Sequence, residues 1–318
     1  MDATEANGFF TPLYEDLTSI VGLKKLLAHY TSMEVLERIL SNDELWCSNP
    51  LHMNDQHEVS FGILNGIDAV RQSDVLKQTL NPHYQMFIQH FDGLADQYTK
   101  EHLLDNYVFC MTEHDPHNDD GQLSMWRCYG GAGKGAAIVF DSATMSESPG
   151  SPLLIFKVEY GSNAERLSWI QNIISKFAAL YAKSNITIEW VTTAAFHLFE
   201  RLKLFALFTK HSGFREEKEW RGIYLAERDR KALLRPMLGY VNGPRGMEPK
   251  LKFKVGAIDG ITTPGTTLES TIAKILIGPN ASSGLALRTT ERMLRQCNKE
   301  ALIPKLVAST IPLREGWR

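Results

Sequence analysis

The sequence predicts an α+β fold with a mixed, mostly antiparallel sheet and helical insertions. Short segments rich in β-branched and aromatic residues recur along the chain, and they do not alternate regularly with helices. Helical spacing of apolar residues is weak near 63–105 and strong near 165–210. We therefore expect one elaborated domain over 27–318, with helical insertions at those two stretches, after an N-terminal extension over 1–26.

Local patterns predict the individual elements. Thr31 and Glu34 have the spacing of a capping box, which predicts a helix that starts near residue 33 and follows a short strand. The first helical stretch is interrupted near Asn81-Pro82. Further helices are expected at 123–129, 167–181, 190–209 and 282–297. Extended segments are expected at 45–48, 107–112, 136–141, 153–160, 220–225, 251–255, 272–277 and 305–309.

The composition bounds the class of protein. The chain has 318 residues, of which 43% are hydrophobic, so it can bury a large core. Its net charge of −3 argues against a protein built to coat nucleic acid or anionic membrane. The acidic start has no signal-peptide pattern, and no run reaches the roughly 18 apolar residues of a membrane span. Four scattered cysteines without a C-x-x-C pair predict reduced thiols, so we expect a cytoplasmic protein without a membrane partner.

The sequence does not match the common motifs for binding phosphate, dinucleotides or metal ions. The glycine-rich run at 130–135 contains Gly133-Lys134, but Cys128 and Gly135 stand where a phosphate-binding loop needs Gly and Ser or Thr. The run also leads into a strand, whereas a dinucleotide fingerprint opens a helix. It predicts a turn, or at most a loop whose Lys134 approaches a ligand. The histidine pairs at 114 and 117 and at 52 and 57 lack the metalloprotease helix pattern, so no metal is expected.

Polar and aromatic side chains concentrate in three segments beside predicted strand ends, where ligand-facing groups often lie. The first comprises 29–31 and 48–58, the second 124–129 with Lys134, and the third Lys210 with 216–221. We expect these segments to form one cleft.

These segments resemble a bacterial family known as domain of unknown function 2971, over about residues 27–314. That family carries an N-D-x-x-E element, then a Met-Trp-x-x-Tyr segment before a Gly and a strand ending in Phe-Asp. A Lys and an E-x-E-x-R signature follow, and then a strand with Gly-Pro and a closing Ser-x-Ile-Pro. The matching positions are Asn54, Asp55, Glu58, Met125, Trp126, Tyr129, Gly135, Phe140, Asp141, Lys210, Glu217, Glu219, Arg221, 275–279 and 309–312.

A second resemblance, to ADP-ribosyltransferases, implies a chemistry. His29-Tyr30-Thr31 is similar to their first motif, and Glu217-Lys218-Glu219 is similar to their E-x-E element. Cleavage of the nicotinamide glycosidic bond builds positive charge on the ribose, which a carboxylate stabilises. The resemblance implies Glu219 as the catalytic carboxylate with Glu217 beside it, and His29 on the ribose. It implies a nicotinamide-stacking ring and further NAD contacts at Trp126, Tyr129, Tyr30, Thr31, Asn54, Asp55, Lys210 and Arg221.

The implied function is an NAD-consuming ADP-ribosyltransferase or NAD glycohydrolase with an ADP-ribosyltransferase-like fold, of the kind found in bacterial toxins and phage-defence effectors. NAD would be the substrate, and protein, nucleic acid or water would be the acceptor. If Glu219 is catalytic, we expect a partly exposed carboxylate that folding hardly requires.

Alternatives remain open. The carboxylates of Asp55, Glu58, Glu217 and Glu219, with Lys210, suit a metal-dependent nuclease, and the same cluster suits a non-catalytic nucleotide-binding or interaction module. The aromatic residues are also typical of a hydrophobic core. The E-x-E-x-R residues are also typical of a surface ion-pair cluster on one face of a strand, and Asn54-Asp55 is typical of an Asx turn.

Overall fold

The computed structural model describes residues 8–53, 57–145, 151–183, 188–243 and 246–313. The predicted α+β class with a mixed, mostly antiparallel sheet is confirmed. The chain divides into two compact units, each assembled from three separate segments. The helical unit comprises Met1–Thr18, Pro50–Asn106 and Lys157–Arg215, and the sheet unit comprises Ser19–Asn49, Tyr107–Phe156 and Glu216–Arg318. Both stretches expected as helical insertions fall in the helical unit.

The described residues form twelve strands, which are numbered in chain order. They are β1 Leu26–Thr31, β2 Glu44–Ser48, β3 Asn106–His114, β4 Ala136–Asp141, β5 Leu153–Lys157, β6 Glu159–Gly161, β7 Thr209–His211, β8 Glu219–Leu225, β9 Leu238–Gly243, β10 Gly246–Lys254, β11 Ile272–Ile277 and β12 Leu306–Ala308. The α-helices are α1 Met33–Asn42, α2 His57–Gln72, α3 Asp74–Thr79, α4 Tyr84–Gln97, α5 Leu123–Cys128, α6 Asn163–Ala182, α7 Val191–Phe208, α8 Leu268–Thr271 and α9 Gly284–Gln296.

The helical unit contains α2, α3, α4, α6 and α7 and the parallel pair β6–β7. Helix α6 begins with a capping box in which Ser162 and Glu165 exchange hydrogen bonds. Helix α7 is buried on nearly every side, and its buried residues include Arg201 and the ion pair of Lys203 with Glu200. A helix with so little exposed surface forms the centre of its unit.

The sheet unit is built on a ten-stranded sheet in the order β12-β11-β4-β1-β3-β2-β10-β9, with β8 pairing with both β3 and β5. The pairs β1–β3, β1–β4, β11–β4, β2–β3, β10–β2 and β10–β9 are antiparallel, and β11–β12 is parallel. Strand β3 is the junction of this sheet because it pairs with β1 at 112–114, with β2 at Val108, and with β8.

Side chains alternate between the two faces of this sheet, and each face has its own core. On the face that we call the first, Leu27, Ile138 and Phe140 belong to a large apolar cluster that also contains Trp220. On the second face, Ala28, Tyr30, Ala137 and Val139 form a smaller cluster with Trp126. Because neighbouring residues of a strand point to opposite faces, these clusters fix the side to which each candidate residue of the site belongs.

Candidate functional site

Helix α5 places the aromatic segment on the second face of the sheet. The ring of Trp126 is fully buried and packs edge-on against Tyr30, with centroids 4.8 Å apart. Trp126 Nε1 donates to the carbonyl of Asp120 at 2.8 Å, and the Tyr30 hydroxyl accepts from the backbone N–H of Gln122 at 2.8 Å. Both aromatic side chains therefore anchor α5, which ends immediately before Tyr129.

Tyr129 forms the centre of a polar cluster that also contains Glu217, Glu219 and Arg221. Its hydroxyl donates to Glu217 Oε1 at 2.7 Å, and its side chain is half-buried. Burial, followed by the hydrogen bond to Glu217 and the negative charges of Glu217 and Glu219, raises the pKa of Tyr129 well above its ordinary value. The phenol therefore keeps its proton at neutral pH and donates a hydrogen bond to the carboxylate.

Glu217 lies at the end of the 3₁₀ helix Ser212–Glu217, not on a strand. Lys218 follows in the left-handed conformation, with φ of 44°, and its carbonyl accepts from the N–H of Glu113 at 3.1 Å. Thr112 Oγ1 donates to the carbonyl of Glu217. The expectation that Glu217 and Glu219 share one strand face is therefore wrong, because β8 starts only at Glu219. Both carboxylates nevertheless lie close enough to Tyr129 to raise its pKa.

Glu219 forms a buried ion pair with Arg221. Arg221 Nε donates to Oε1 at 2.6 Å and Nη2 donates to Oε2 at 3.1 Å, and the residues are 4% and 3% exposed. Such a two-point contact satisfies both carboxylate oxygens and neutralises the charge. The expectation of a partly exposed Glu219 is therefore wrong, and so is the alternative of a surface ion-pair cluster. Trp220, between them, points to the first face.

His29 lies on the other side of the sheet from this pair. Its ring stacks on Phe109, a first-face residue, with centroids 4.3 Å apart, and Nδ1 is 2.8 Å from the carbonyl of Cys110. Burial lowers the pKa of His29, so the imidazole is neutral at pH 7, and the contact with a carbonyl assigns the proton to Nδ1. Its neighbour Tyr30 belongs to the second face. The structure therefore brings Tyr30, not His29, to the side of Tyr129.

The remaining candidates are Thr31, Lys210, Lys134, Asn54 and Asp55. Thr31 is the buried last residue of β1. Lys210 belongs to the helical unit, where it lies on β7, is 5% exposed, and places its ammonium 4.5 Å from the centroid of the Phe214 ring. Lys134 is exposed. Asn54 and Asp55 lie outside the described residues, as does the side chain of Glu58.

The glycine-rich run has a packing function. A Cβ on Gly130 would lie 2.4 Å from Cε3 of Trp126, and one on Gly135 would lie 2.1 Å from the carbonyl oxygen of Thr31. Gly135 also accepts a backbone hydrogen bond from the N–H of Gly278 at 2.9 Å. Side chains at 130 and 135 would therefore separate the loop from α5 and β1. The predicted turn contains the 3₁₀ segment Gly131–Gly133.

Sequence patterns did not identify three residues that support the cluster. Thr112 holds the backbone at Glu217, Gln122 Nε2 donates to the carbonyl of Glu216 at 3.2 Å, and Asp120 receives the Trp126 bond. The carboxylate of Asp120 also accepts hydrogen bonds from the N–H and the hydroxyl of Thr310. These hydrogen bonds lower the pKa of Asp120, although burial acts in the opposite direction. The turn-forming run Asn118-Asp119-Asp120-Gly121 was the available signal for this support.

Metal and membrane features can be assessed for the described ranges. Across 8–53, 57–145, 151–183, 188–243 and 246–313, no three His, Cys, Asp or Glu side chains are grouped to hold a metal ion. Among the helices of those same residues, none is both long and apolar enough to cross a membrane.

A family model described as "Protein of unknown function (DUF2971)" matches residues 125–222. The resemblance to this family is thus confirmed over a part of the chain that is shorter than half of it. The matched part contains Trp126, Tyr129, Glu217, Glu219 and Arg221, which together form the cluster on the second face. No curated protein and no solved structure matches the chain significantly.

Proposed function

We propose that the sheet unit is an NAD-consuming ADP-ribosyltransferase or NAD glycohydrolase in which Glu217 is the reactive carboxylate. One observation carries the proposal: Glu217 is a half-buried carboxylate held by the Tyr129 hydroxyl, beside a second carboxylate that Arg221 neutralises. Two carboxylates in different environments can serve different roles at one site. The proposal treats the sheet as ADP-ribosyltransferase-like, with β1 carrying the first motif and β8 starting at Glu219, the second glutamate of the E-x-E element.

The chemistry explains the assignment of Glu217. When the bond between nicotinamide N1 and ribose C1′ breaks, its electron pair leaves with nicotinamide and positive charge develops on the ribose. A fixed carboxylate close to that charge stabilises the transition state more than the ground state. Tyr129 binds Oε1 of Glu217 and thereby orients the group. An acceptor hydroxyl, amine or water then forms the new bond to C1′ and loses its proton.

Glu219 is a positioning residue under this proposal. Its negative charge is already matched by Arg221, and it is 4% exposed, so it stabilises developing charge on a substrate less directly than Glu217 does. The Glu219–Arg221 pair anchors the start of β8, which fixes the backbone next to Glu217. Of the two candidate stacking rings, Tyr129 has exposed surface, whereas Trp126 is fully buried, so Tyr129 is the proposed contact to the nicotinamide.

Nicotinamide release from NAD tests the proposal. The full-length protein is incubated with NAD, alone and with protein or single-stranded nucleic acid as acceptor, and free nicotinamide is quantified by chromatography. We expect release by the wild type, and a loss of about 10²-fold or more in Glu217→Gln, the scale of losing one preorganised electrostatic group. Glu216→Gln is the matched control, because it makes the same chemical change at an adjacent exposed residue and should retain the wild-type rate.

Three outcomes contradict the proposal. The first is a wild-type protein that releases no nicotinamide with any acceptor. The second is equal release by wild type and Glu217→Gln. The third is thermal stabilisation by NAD without turnover, which would assign the cluster to non-catalytic nucleotide binding instead.

A further inference from the structure

The first face of the sheet contains a cavity of about 130 Å³. One wall comes from strands β2, β3, β8 and β10, which contribute Cys47, Phe109, Gly222 and Phe253. Further lining residues come from the segment 261–271, which includes α8. All of the lining residues belong to the sheet unit, and the cavity lies on the opposite face from Tyr129 and Glu217.

The lining is hydrocarbon in character. Phe109, Phe140 and Phe253 line the cavity with aromatic rings, and none of its described lining residues is Asp, Glu, Lys, Arg or His. Cys47 is 5% exposed, and burial raises its pKa to about 12, so the thiol stays uncharged. The cavity therefore offers no charge to an ionic ligand.

Four threonines also line the cavity, but their hydroxyls are already used. Thr144 donates to Asp141, Thr262 to Gly256, Thr266 to Thr263 and Thr271 to Leu268, in each case to a backbone carbonyl oxygen. A hydroxyl that is occupied in this way is a poor donor to a ligand. The cavity thus favours an apolar ligand over a sugar or a water cluster.

The cavity is open to solvent at one side. Leu45, Met145, Leu153 and Ile155 line it and are only partly buried, although they pack against the large apolar cluster of the first face. These side chains give a small molecule a route from solvent.

Gly222 lines the cavity, and its backbone conformation does not require glycine. It lies within β8, its φ is outside the left-handed range, and an added Cβ would meet its nearest neighbours, Ile155 and Phe109, at 3.8 Å. A glycine inside a strand lowers stability, and it often marks a place where a ligand approaches the backbone closely. Neither backbone conformation nor crowding explains glycine at this position.

We propose that this cavity binds an uncharged, apolar small molecule or group of about the size of one aromatic ring. Dry apolar cavities of about 150 Å³ bind benzene in other proteins, so the volume and the lining both fit such a ligand. The cavity lies on the opposite face of the sheet from the cluster around Tyr129 and Glu217.

Thermal unfolding of the full-length protein with toluene tests the proposal, with benzoate as the charged probe of similar size. We expect toluene to raise the unfolding midpoint by an amount that grows with its concentration, and benzoate to cause no such rise. Gly222→Ala and Gly222→Val add one and three carbons at the cavity. We expect both to fold, since an added Cβ meets its nearest neighbours at an ordinary contact distance of 3.8 Å and valine suits a strand. We expect Gly222→Ala to reduce the toluene response and Gly222→Val to abolish it.

Gly284→Val is the matched control, because an added Cβ there meets nothing within 4 Å and the residue is exposed at the start of α9. It should keep the wild-type toluene response. A wild type that does not respond to toluene overturns the proposal. An equal response in wild type, Gly222→Ala and Gly222→Val also overturns it, because toluene would then bind elsewhere. If Gly222→Val fails to fold, the reduced response of Gly222→Ala still decides the question.

Discussion

Arg221 donates two hydrogen bonds to Glu219 while both side chains are at most 5% exposed. This contact gives the two glutamates of the E-x-E element different environments. Glu219 is a buried, charge-paired residue, and Glu217 is a half-buried carboxylate bonded to Tyr129. The two positions are therefore expected to respond in different ways to the same Glu→Gln change.

The buried pair should be costly to break from either side. Glu219→Gln removes the charged carboxylate that accepts two hydrogen bonds from Arg221, and Arg221→Met removes the guanidinium that donates them, so we expect each to lower the free energy of unfolding by about 3–5 kcal/mol. Urea denaturation followed by circular dichroism measures both. Glu217→Gln should cost far less, since its side chain is partly solvated.

The double variant Glu219→Gln/Arg221→Met provides the control. Removing both charges leaves neither group uncompensated, so its loss should be clearly smaller than the sum of the two single losses. Additive losses, or single losses below about 1 kcal/mol, would show that the pair does not stabilise the fold in this way.

Tyr129 should make stability depend on alkaline pH. Its pKa is raised from an ordinary value of 10.0 in the folded protein, so its contribution is complete below pH 10 and is lost as pH rises above 10, where the unfolded chain releases the proton first. Tyr129→Phe removes this group, and we expect a shallower decline of unfolding free energy between pH 9.5 and 11, a window set around that ordinary value. Wild type and Tyr129→Phe with identical slopes would contradict the assignment.

Local patterns predicted the elements well because helices and strands depend mainly on neighbouring residues. The helices at 167–181 and 190–209 correspond to α6 Asn163–Ala182 and α7 Val191–Phe208, and the strand at 136–141 to β4. The expected break at Asn81-Pro82 falls between α3 and α4. These agreements required no knowledge of which elements pack together.

The site depended on tertiary contacts, so the sequence predicted it less well. Alternation along β1 indicates that His29 and Tyr30 point to opposite faces, but the sequence does not say which face α5 covers. Burial of Glu219 and Arg221 likewise comes from packing between distant segments. Lys218 in the left-handed conformation was not expected, because glycine, asparagine and aspartate are the usual residues there. Because Lys218 has this conformation, β8 begins at Glu219 and Glu217 lies outside the strand.

His29 should make stability depend on acidic pH. Burial lowers its pKa from the ordinary value of 6.5 in the folded protein. As pH falls below 6.5 the unfolded chain therefore takes up a proton that the folded chain does not, and stability is lost toward the lowered folded pKa. We expect His29→Gln to reduce the slope of unfolding free energy between pH 6.5 and 5. An unchanged slope would mean that His29 is protonated as easily in the folded protein as in the unfolded chain.

Gly130 should be intolerant of any side chain, with a consequence for the polar cluster. An alanine there would place Cβ 2.4 Å from Cε3 and 3.1 Å from Cα of Trp126, so the helix or its ring must move. Overpacking of this kind typically costs about 1–3 kcal/mol. Because Trp126 anchors α5, and Tyr129 follows α5 directly, Gly130→Ala should also weaken the bond between Tyr129 and Glu217. We therefore expect Gly130→Ala to lower both the urea midpoint and the rate of nicotinamide release measured on protein that remains folded.

Gly256→Ala is the matched control, since its added Cβ meets nothing within 4 Å, and it should change neither quantity. If Gly130→Ala is as stable and as active as Gly256→Ala, the close contact between Gly130 and Trp126 does not position Tyr129.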